Sequence, residues 1–531
     1  MADRLAPFSF ANRTHRTWAG TFRCKPQLYI QPRTAEEIRD AVVEAKRLNK
    51  TLMLTGSGHS PSTLTMSDEW IMNLDIFNKV LSIERHESGK FADVTVEAGI
   101  RIYQLTEILA AEGLAIQNLG SISEQSAAGI ISTGTHGSSA YHGLVSEQIV
   151  KFTLLCSGKA DPETIECSPG DNLDLFRAGL LSVGKLGIIT HVTLRVVPAY
   201  NLKSRQQIVS FDRFVDELWP TVWTSSEFIR VWWYPYSDRC VLWRADKCKQ
   251  EEPLREPINN FYGTTLGRFF YESLLWLAVK VYPSLTPSIE RWVFKHQYGF
   301  EESINSEGNV AVQRSDLALN MDCLFSQFVN EWAMPLTEGP KVLRQLETII
   351  KDAAKNNSFY VHAPFEVRIS NTAVSGSTDT INPDNYSVPH LGTVPGNTVR
   401  PLLDGTPKLG AATTPITYDK LTLYLNATVY RPFGFDCPID KWYRTFEDTV
   451  AAVGGKPHWA KNFLGTFDDK PASTLTDGEM RGLKPTMDSW FGDDLTLFKT
   501  LRETHDPQGT FLSGRHWAEI NGFVSSVTDI V

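Results

Sequence analysis

Two stretches of small residues carry the strongest chemical signal in the chain. The loop Thr55-Gly56-Ser57-Gly58-His59-Ser60-Pro61-Ser62 follows the apolar run TLML. Its glycines and small hydroxyls let backbone N–H groups approach an anion closely, as a phosphate nest does. No Gly-Lys-Ser/Thr follows and the G-x-G-x-x-G spacing is absent, so neither a P-loop nor a Rossmann fingerprint is indicated. The second stretch, GSISEQSAAGIISTGTHG over 120–137, is denser, and its length suits wrapping a ligand with several phosphates and ring edges. Two such loops close together point to a dinucleotide. His59, set among glycines and serines, is either an ordinary polar loop residue or a nucleophile. A neutral imidazole can attack the 8α-methyl carbon of a flavin ring, forming a permanent link that raises the flavin's potential and prevents its loss.

Two later stretches alternate with period two. In VHAPFEVRI, Val361, Ala363, Phe365, Val367 and Ile369 share one face, and His362, Pro364, Glu366 and Arg368 the other. In LTLYLNATVY, Leu421, Leu423, Leu425, Ala427 and Val429 oppose Thr422, Tyr424, Asn426, Thr428 and Tyr430. Each strand thus has one apolar face and one bearing chemistry. A solvated polar face is the plain account of such a strand; Glu366 beside Arg368, with few lysines nearby, weighs toward a functional one.

The elements that must position these residues follow from composition and pattern. A length of 531 residues implies roughly two to four domains. Hydrophobic residues at 42% and charged residues at 21% exclude wholesale disorder. Lys+Arg 52 against Asp+Glu 61, with no basic run, argues against nucleic acid and for a small-molecule partner. Seven cysteines without a C-x-x-C pair predict no disulfide framework and no metal cage. The amino-terminal residues carry charges where a signal peptide needs an apolar core, which predicts an intracellular protein that is not secreted.

The chain opens β-α-β: YIQP, a helix with Thr34 as cap and Glu37 three residues on, then TLMLTGSGH. Further strands are predicted at ADVTVEAG and GIITHVTLRVVPA. Residues 1–200 read as one α+β unit. Residues 201–455 form a second, with hairpin strands in FIRVWWYPYSDRCVLWRA and a loop-rich stretch at 370–415; 456–531 returns to polar helices. The segment 269–294 is the most apolar, but Glu272 and Lys280 interrupt it and Pro283 and Pro287 break its helix. Too broken to span a membrane, it is either a buried core helix or an interfacial one, with Trp276, Tyr282 and Trp292 at headgroup depth.

Taken together, GSGHSPS, the 120–137 stretch, GKLGIITHVTL, FEVRI, LYLNATVYRPF, PHWAK and DPQGTFLSGRHW, in that order, resemble the sugar-1,4-lactone oxidases of the vanillyl-alcohol-oxidase flavoprotein family. The motifs cover residues 56–517, nearly the whole chain. The resemblance implies an α+β fold: a two-subdomain FAD-binding domain of the PCMH type over 1–200, and a cap domain over 201–455 with an antiparallel sheet covered by helices. The segment 456–531 would complete the active site and pack back on the FAD domain.

By resemblance, Gly56, Ser57, Gly58 and Ser60 hold FAD, with His59 as covalent attachment site. Gly120, Ser121, Ser126, Gly129, Thr133, Gly134, Thr135 and His136 bind the same cofactor, and Ile189 contributes backbone contacts on the adenine side. Glu366, Arg368 and Lys461 form the catalytic set, with the identity of the base left open. Tyr424, Asn426 and His458 contact the substrate, and His516 flanks the site. The implied reaction oxidises an aldono-1,4-lactone at C2, D-arabinono-1,4-lactone first, to an ascorbate-type product; a related oxidase or dehydrogenase of another lactone or a polyol is the alternative. Gly120 stands where some dehydrogenase relatives carry alanine near the flavin edge, which implies dioxygen as acceptor and hydrogen peroxide as product. Monotopic attachment through 269–294 to an intracellular membrane, the mitochondrial outer membrane favoured, is also implied.

Overall fold

The computed structural model describes residues 4–249, 251–258, 261–321, 323–373, 399–410, 415–465 and 482–524. Much of the predicted loop-rich stretch 370–415 therefore lies outside the described residues. Helix Ala35–Arg47 begins where Thr34 Oγ1 accepts from the Glu37 backbone N–H at 3.2 Å, and Glu37 in turn accepts from Arg33 N at 2.6 Å. This is the predicted cap, closed by the reciprocal carboxylate bond. The helix joins strands Leu28–Ile30 and Leu52–Thr55, but these are not neighbours: Trp70–Asn73 runs between them, parallel to both. The His59 loop thus leaves the carboxyl end of an edge strand, the end at which open parallel sheets bind ligands.

A second sheet runs Glu163–Cys167, Ile149–Cys156, Ile188–Pro198, Ala92–Glu97 and Val80–Arg85, each antiparallel to its neighbour. Both strands predicted here are found. Between the two sheets, the 120–137 stretch folds around the short helix Ala127–Ser132, whose cap Ser126 accepts from Gly129 N at 3.2 Å.

The third sheet has eight antiparallel strands in the order Asn309–Arg314, Asn201–Ser210, Arg239–Cys248, Phe228–Tyr234, Phe365–Ser370, Thr422–Tyr430, Gln327–Pro335 and Lys456–Pro457. Its apolar face packs on helices Gly339–Lys355 and Asp440–Ala451 through Val342, Leu346, Ile350, Trp442, Phe446 and Val450. Its polar face is covered too. Arg368 is 5% exposed, Tyr424 2% and Asn426 6%, so the solvated-face account of these strands is wrong. The covering half joins by backbone: Ser139 N donates to Ile369 O at 3.0 Å, and Ile229 N to Ser138 O at 3.0 Å.

The segment predicted at 269–294 is two helices, Thr265–Lys280 and Thr286–Gln297, with a 3-10 turn at Pro283–Leu285 between them. Pro287 breaks nothing; it lies in the first turn of the second helix, where a missing N–H costs no bond. Tyr271, Leu275, Ala278 and Val293 are buried, whereas Phe269, Phe270, Val281, Tyr282 and Trp292 are exposed. Among the described residues no helix is long and apolar enough to cross a membrane.

The segment after Lys456–Pro457 is clamped from below. Buried Glu447 accepts from Leu464 N at 2.8 Å, Gly465 N at 3.1 Å and Asn330 Nδ2 at 2.6 Å. Asn462 exchanges two bonds with Val329 and donates to Pro61 O at 2.9 Å. Replacing Glu447 by Ala strands three buried donors, and is expected to cost about 2 kcal/mol or more, measured as a lowered chemical-unfolding midpoint; an unchanged midpoint would show that the clamp carries no weight.

Candidate active site

Two cavities meet at His59 and Gln125, which line both. The first, with about 870 Å³ of empty space, is lined by Gly56, Ser57, Gly58, His59, Ser60, Ser126, Gly129, Thr133 and Ile189, all predicted cofactor residues. The second, with about 1570 Å³, is lined by Gly120, Ser121, Thr135 and His136 from the same prediction, and by Glu366, Arg368, Lys461, Asn426 and His458. The first is a narrow, glycine-lined slot. An ideal Cβ at Gly56 would sit 2.6 Å from Ser126 Oγ, and Gly58 takes a φ of +71°, so two glycine positions set how closely the phosphate loops approach.

Two predicted residues are placed differently. Gly134 backs the site, its carbonyl accepting from His458 Nε2 at 3.1 Å. Tyr424 lies behind His136, ring centroids 3.4 Å apart and 8° from parallel, and is hydrogen-bonded to Ser370 Oγ at 3.0 Å. It supports a cavity wall and is not among the residues that line the cavity. The His516 side chain lies outside the described residues.

The centre of the second cavity is a residue the sequence reading did not single out. Glu331, on strand Gln327–Pro335 and 0% exposed, faces four nitrogen-bearing side chains. Its Oε1 lies 2.7 Å from His136 Nε2 and 2.8 Å from Arg368 Nη2; its Oε2 lies 3.4 Å from Lys461 Nζ and 3.5 Å from Asn426 Nδ2. Burial alone would push this carboxyl up, but Arg368, Lys461 and His136 hold it well below the usual carboxylate range. The strand is buried on both faces, so no alternation marks it. Its one signal is an acidic residue inside the apolar run FVNEWAM, which burial requires to be paired.

Arg368 also donates from Nη1 to Ser121 Oγ at 3.2 Å, and its Nε lies 3.4 Å from Glu366 Oε2, off the hydrogen-bond direction. Burial lowers its pKa, but Glu331 and Glu366 more than offset this and raise it, so it is a permanent cation. Glu366 Oε1 is buried without a hydrogen-bond partner among the described residues. The cluster therefore holds two cations beside a carboxylate that has one oxygen unpaired among the described residues.

His458 is neutral and satisfied: Nε2 donates to Gly134 O, Nδ1 accepts from Ala460 N at 3.2 Å, and burial lowers its pKa to about 3. His59 stacks on Trp18 at 5.1 Å, and burial, aided by Arg101 and Lys461, lowers its pKa to about 4. Its Nδ1 is buried and has no hydrogen-bond partner among the described residues. A neutral imidazole with an unclaimed nitrogen, at the junction of a phosphate slot and a ring-sized cavity, fits FAD.

Comparisons with known proteins identify relatives of the chain. The family described as FAD binding domain matches residues 26–167, and the family described as D-arabinono-1,4-lactone oxidase matches 192–521. Relatives named D-arabinono-1,4-lactone oxidase include one from Yarrowia lipolytica, 55% identical over 96% of this chain and 98% of its own. Others are from Candida albicans, 50% identical over 98% and 99%, and Saccharomyces cerevisiae, 49% identical over 97% and 97%. Among solved structures, a solvent-stable cholesterol oxidase matches with TM-score 0.74 at 15% identity over 98% of this chain and 99% of that one. Cholesterol oxidase from B. sterolicum gives 0.72 at 14% identity over 97% of each. At such identity the likeness is one of fold.

The narrowness of the slot yields a direct test. Gly56→Ala places a methyl against Ser126 Oγ, and is expected to yield folded protein with about a tenth or less of the wild-type flavin content, since about 1.4 kcal/mol is tenfold in occupancy. Full flavin content in the variant would show that the slot is not the phosphate site.

Proposed function

The chain belongs to the D-arabinono-1,4-lactone oxidase family, and from that membership and the cluster around Glu331 we propose the following reaction. It oxidises an aldono-1,4-lactone, D-arabinono-1,4-lactone first, at C2 with dioxygen as acceptor, giving an ascorbate-type product and hydrogen peroxide. FAD is held covalently through His59. The observation that carries the reading is the meeting of a glycine-lined slot with a cavity where Arg368, Lys461 and Glu366 converge. We take 1–200, 201–455 and 456–531 as its working units. The two largest apolar clusters follow this division in the main, the first taking in Trp459, Phe463 and residues from Leu483 to Val524, and also reaching across to Phe228, Ala245, Leu402 and Leu403.

The chemistry that FAD supplies when bound is acceptance of the substrate hydride and its delivery to dioxygen. Glu366 takes the C2 hydroxyl proton; its Oε1 is the unsatisfied carboxylate oxygen of the cavity. Arg368 and Lys461 place positive charge where negative charge develops. Asn426, held by Glu331 and by Thr428 Oγ1, which donates to its Oδ1 at 3.0 Å, orients the lactone ring.

The exposed residues of the helix pair support attachment to a membrane surface; that it is an intracellular one, the mitochondrial outer membrane favoured, rests on the family resemblance. Phe269 lies 5.7 Å from exposed Phe433, and Trp276 6.5 Å from exposed Phe435, so the apolar surface extends over a neighbouring loop and is broader than the segment alone.

Denatured wild-type protein should retain flavin and His59→Ala should not; flavin released freely from the wild type removes the covalent link. A lactone screen read by peroxide release tests the substrate, and no turnover on any aldonolactone ends the reading. The oxygen path is tested at Gly120, where an added Cβ would meet Thr135 Cγ2 at 2.6 Å. Gly120→Ala is therefore made in a Thr135→Ser background, and reoxidation by dioxygen is expected to slow by about tenfold or more, some 1.4 kcal/mol of barrier, with anaerobic reduction retained. Equal reoxidation rates with and without the alanine would close this route.

A further inference from the structure

We propose that Glu331 is a positioning residue for this oxidation and that it shares a proton with His136, so that the two form a neutral pair anchoring Arg368 and Lys461. The positioning role rests on the oxidase reading above; the shared proton rests on the geometry alone.

The hydrogen-bond accounting of His136 leads to it. Nδ1 lies 2.9 Å from the Gly137 carbonyl oxygen, and Nε2 lies 2.7 Å from Glu331 Oε1. Both partners are acceptors, and a neutral imidazole carries one N–H. The ring cannot turn away, because it is stacked on Tyr424, itself tied to Ser370. Burial and Arg368 push His136 toward its neutral form more strongly than Glu331 and the Gly137 carbonyl pull the other way, so it is the two-acceptor geometry and not the basicity of the ring that calls for the second proton. One proton lying along the 2.7 Å contact, with Nδ1–H donating to Gly137, satisfies every atom.

The groups facing the pair leave no simpler solution. Strand Phe365–Ser370 presents Arg368 and Glu366, strand Thr422–Tyr430 presents Asn426 and Tyr424, and the 457–465 segment presents Lys461 and neutral His458. Arg230, opposite Arg368 on the next strand, donates instead to Leu319 O. All four direct partners of Glu331 offer N–H groups, so an amide at this position would turn its own N–H toward a donor. The shared proton leaves the site one unit more positive than a neutral His136 beside a bare carboxylate would.

Nitrogen-15 NMR of histidine-labelled, flavin-loaded wild type should show His136 with Nδ1 protonated and a far-downfield proton on the Nε2 side. An unprotonated, unshared Nε2 overturns the proposal, whether or not any variant folds and whether or not a lactone turns over. In Glu331→Gln that proton should vanish and kcat fall by about a hundredfold, the cost of a misplaced catalytic group, with KM changing less than about threefold. Glu331→Asp should recover part of kcat. The flavin midpoint potential should stay near that of the wild type, because a neutral pair is exchanged for a neutral pair. A clear rise in potential would mean that a bare carboxylate had been removed, and an unchanged kcat that Glu331 positions nothing; either result sinks the idea. A wild type without lactone turnover but with the downfield proton would instead fail the oxidase reading and retain the shared proton.

Discussion

A fully buried carboxylate is tolerated only when donors surround it, and in this protein those donors come from four separate pieces of chain. Glu331 takes His136 from the small-residue stretch of the FAD-binding half, Arg368 and Asn426 from two neighbouring strands, and Lys461 from the segment that follows the last strand. Leaving such a charge unpaired costs about 3–5 kcal/mol, a large part of a domain's net stability. The two halves must therefore close on one another for either to hold the site. The same contact that makes the interface costly to open places two cations beside the cavity.

That constraint explains where sequence reading succeeded. Glu366 and Arg368 were legible because their strand keeps strict alternation, with Phe365, Val367 and Ile369 on the helix-covered face. The glycine loops were legible because their spacing reflects backbone approach, a local property: Gly56 and Ser126 touch through positions that any side chain would obstruct. Thr34 and Glu37 behaved as a cap because capping involves only a few consecutive residues.

The failures are all non-local. Period two shows that a strand has two different faces, but not that a second domain covers the polar one; hence Arg368 was allowed a solvated alternative and is buried. Tyr424 shares a strand face with Asn426, yet His136, from a segment almost 300 residues earlier, lies over its ring. Glu331 left no periodic trace because its strand is buried on both sides. Trp70–Asn73 inserts between two strands that the β-α-β pattern would pair, and no pattern within either strand announces it.

The cap helices join the outside of the molecule to its site. Helices Thr265–Lys280 and Thr286–Gln297 expose Phe269, Phe270 and Trp292, while Tyr271, Val293 and Gln297 line the second cavity on their other side. A helix pair that is apolar on both faces cannot be read as core or as surface from composition, which is why the segment fitted two accounts at once. Its inner face needs the sheet, through Tyr271 against Phe325 and Phe325 against Tyr430. Its outer face has no protein cover among the described residues. Any surface that packs against Phe269 and Trp292 therefore presses on the wall that holds Tyr271 and Gln297, so that the exposed apolar face and the shape of the second cavity share one structural element.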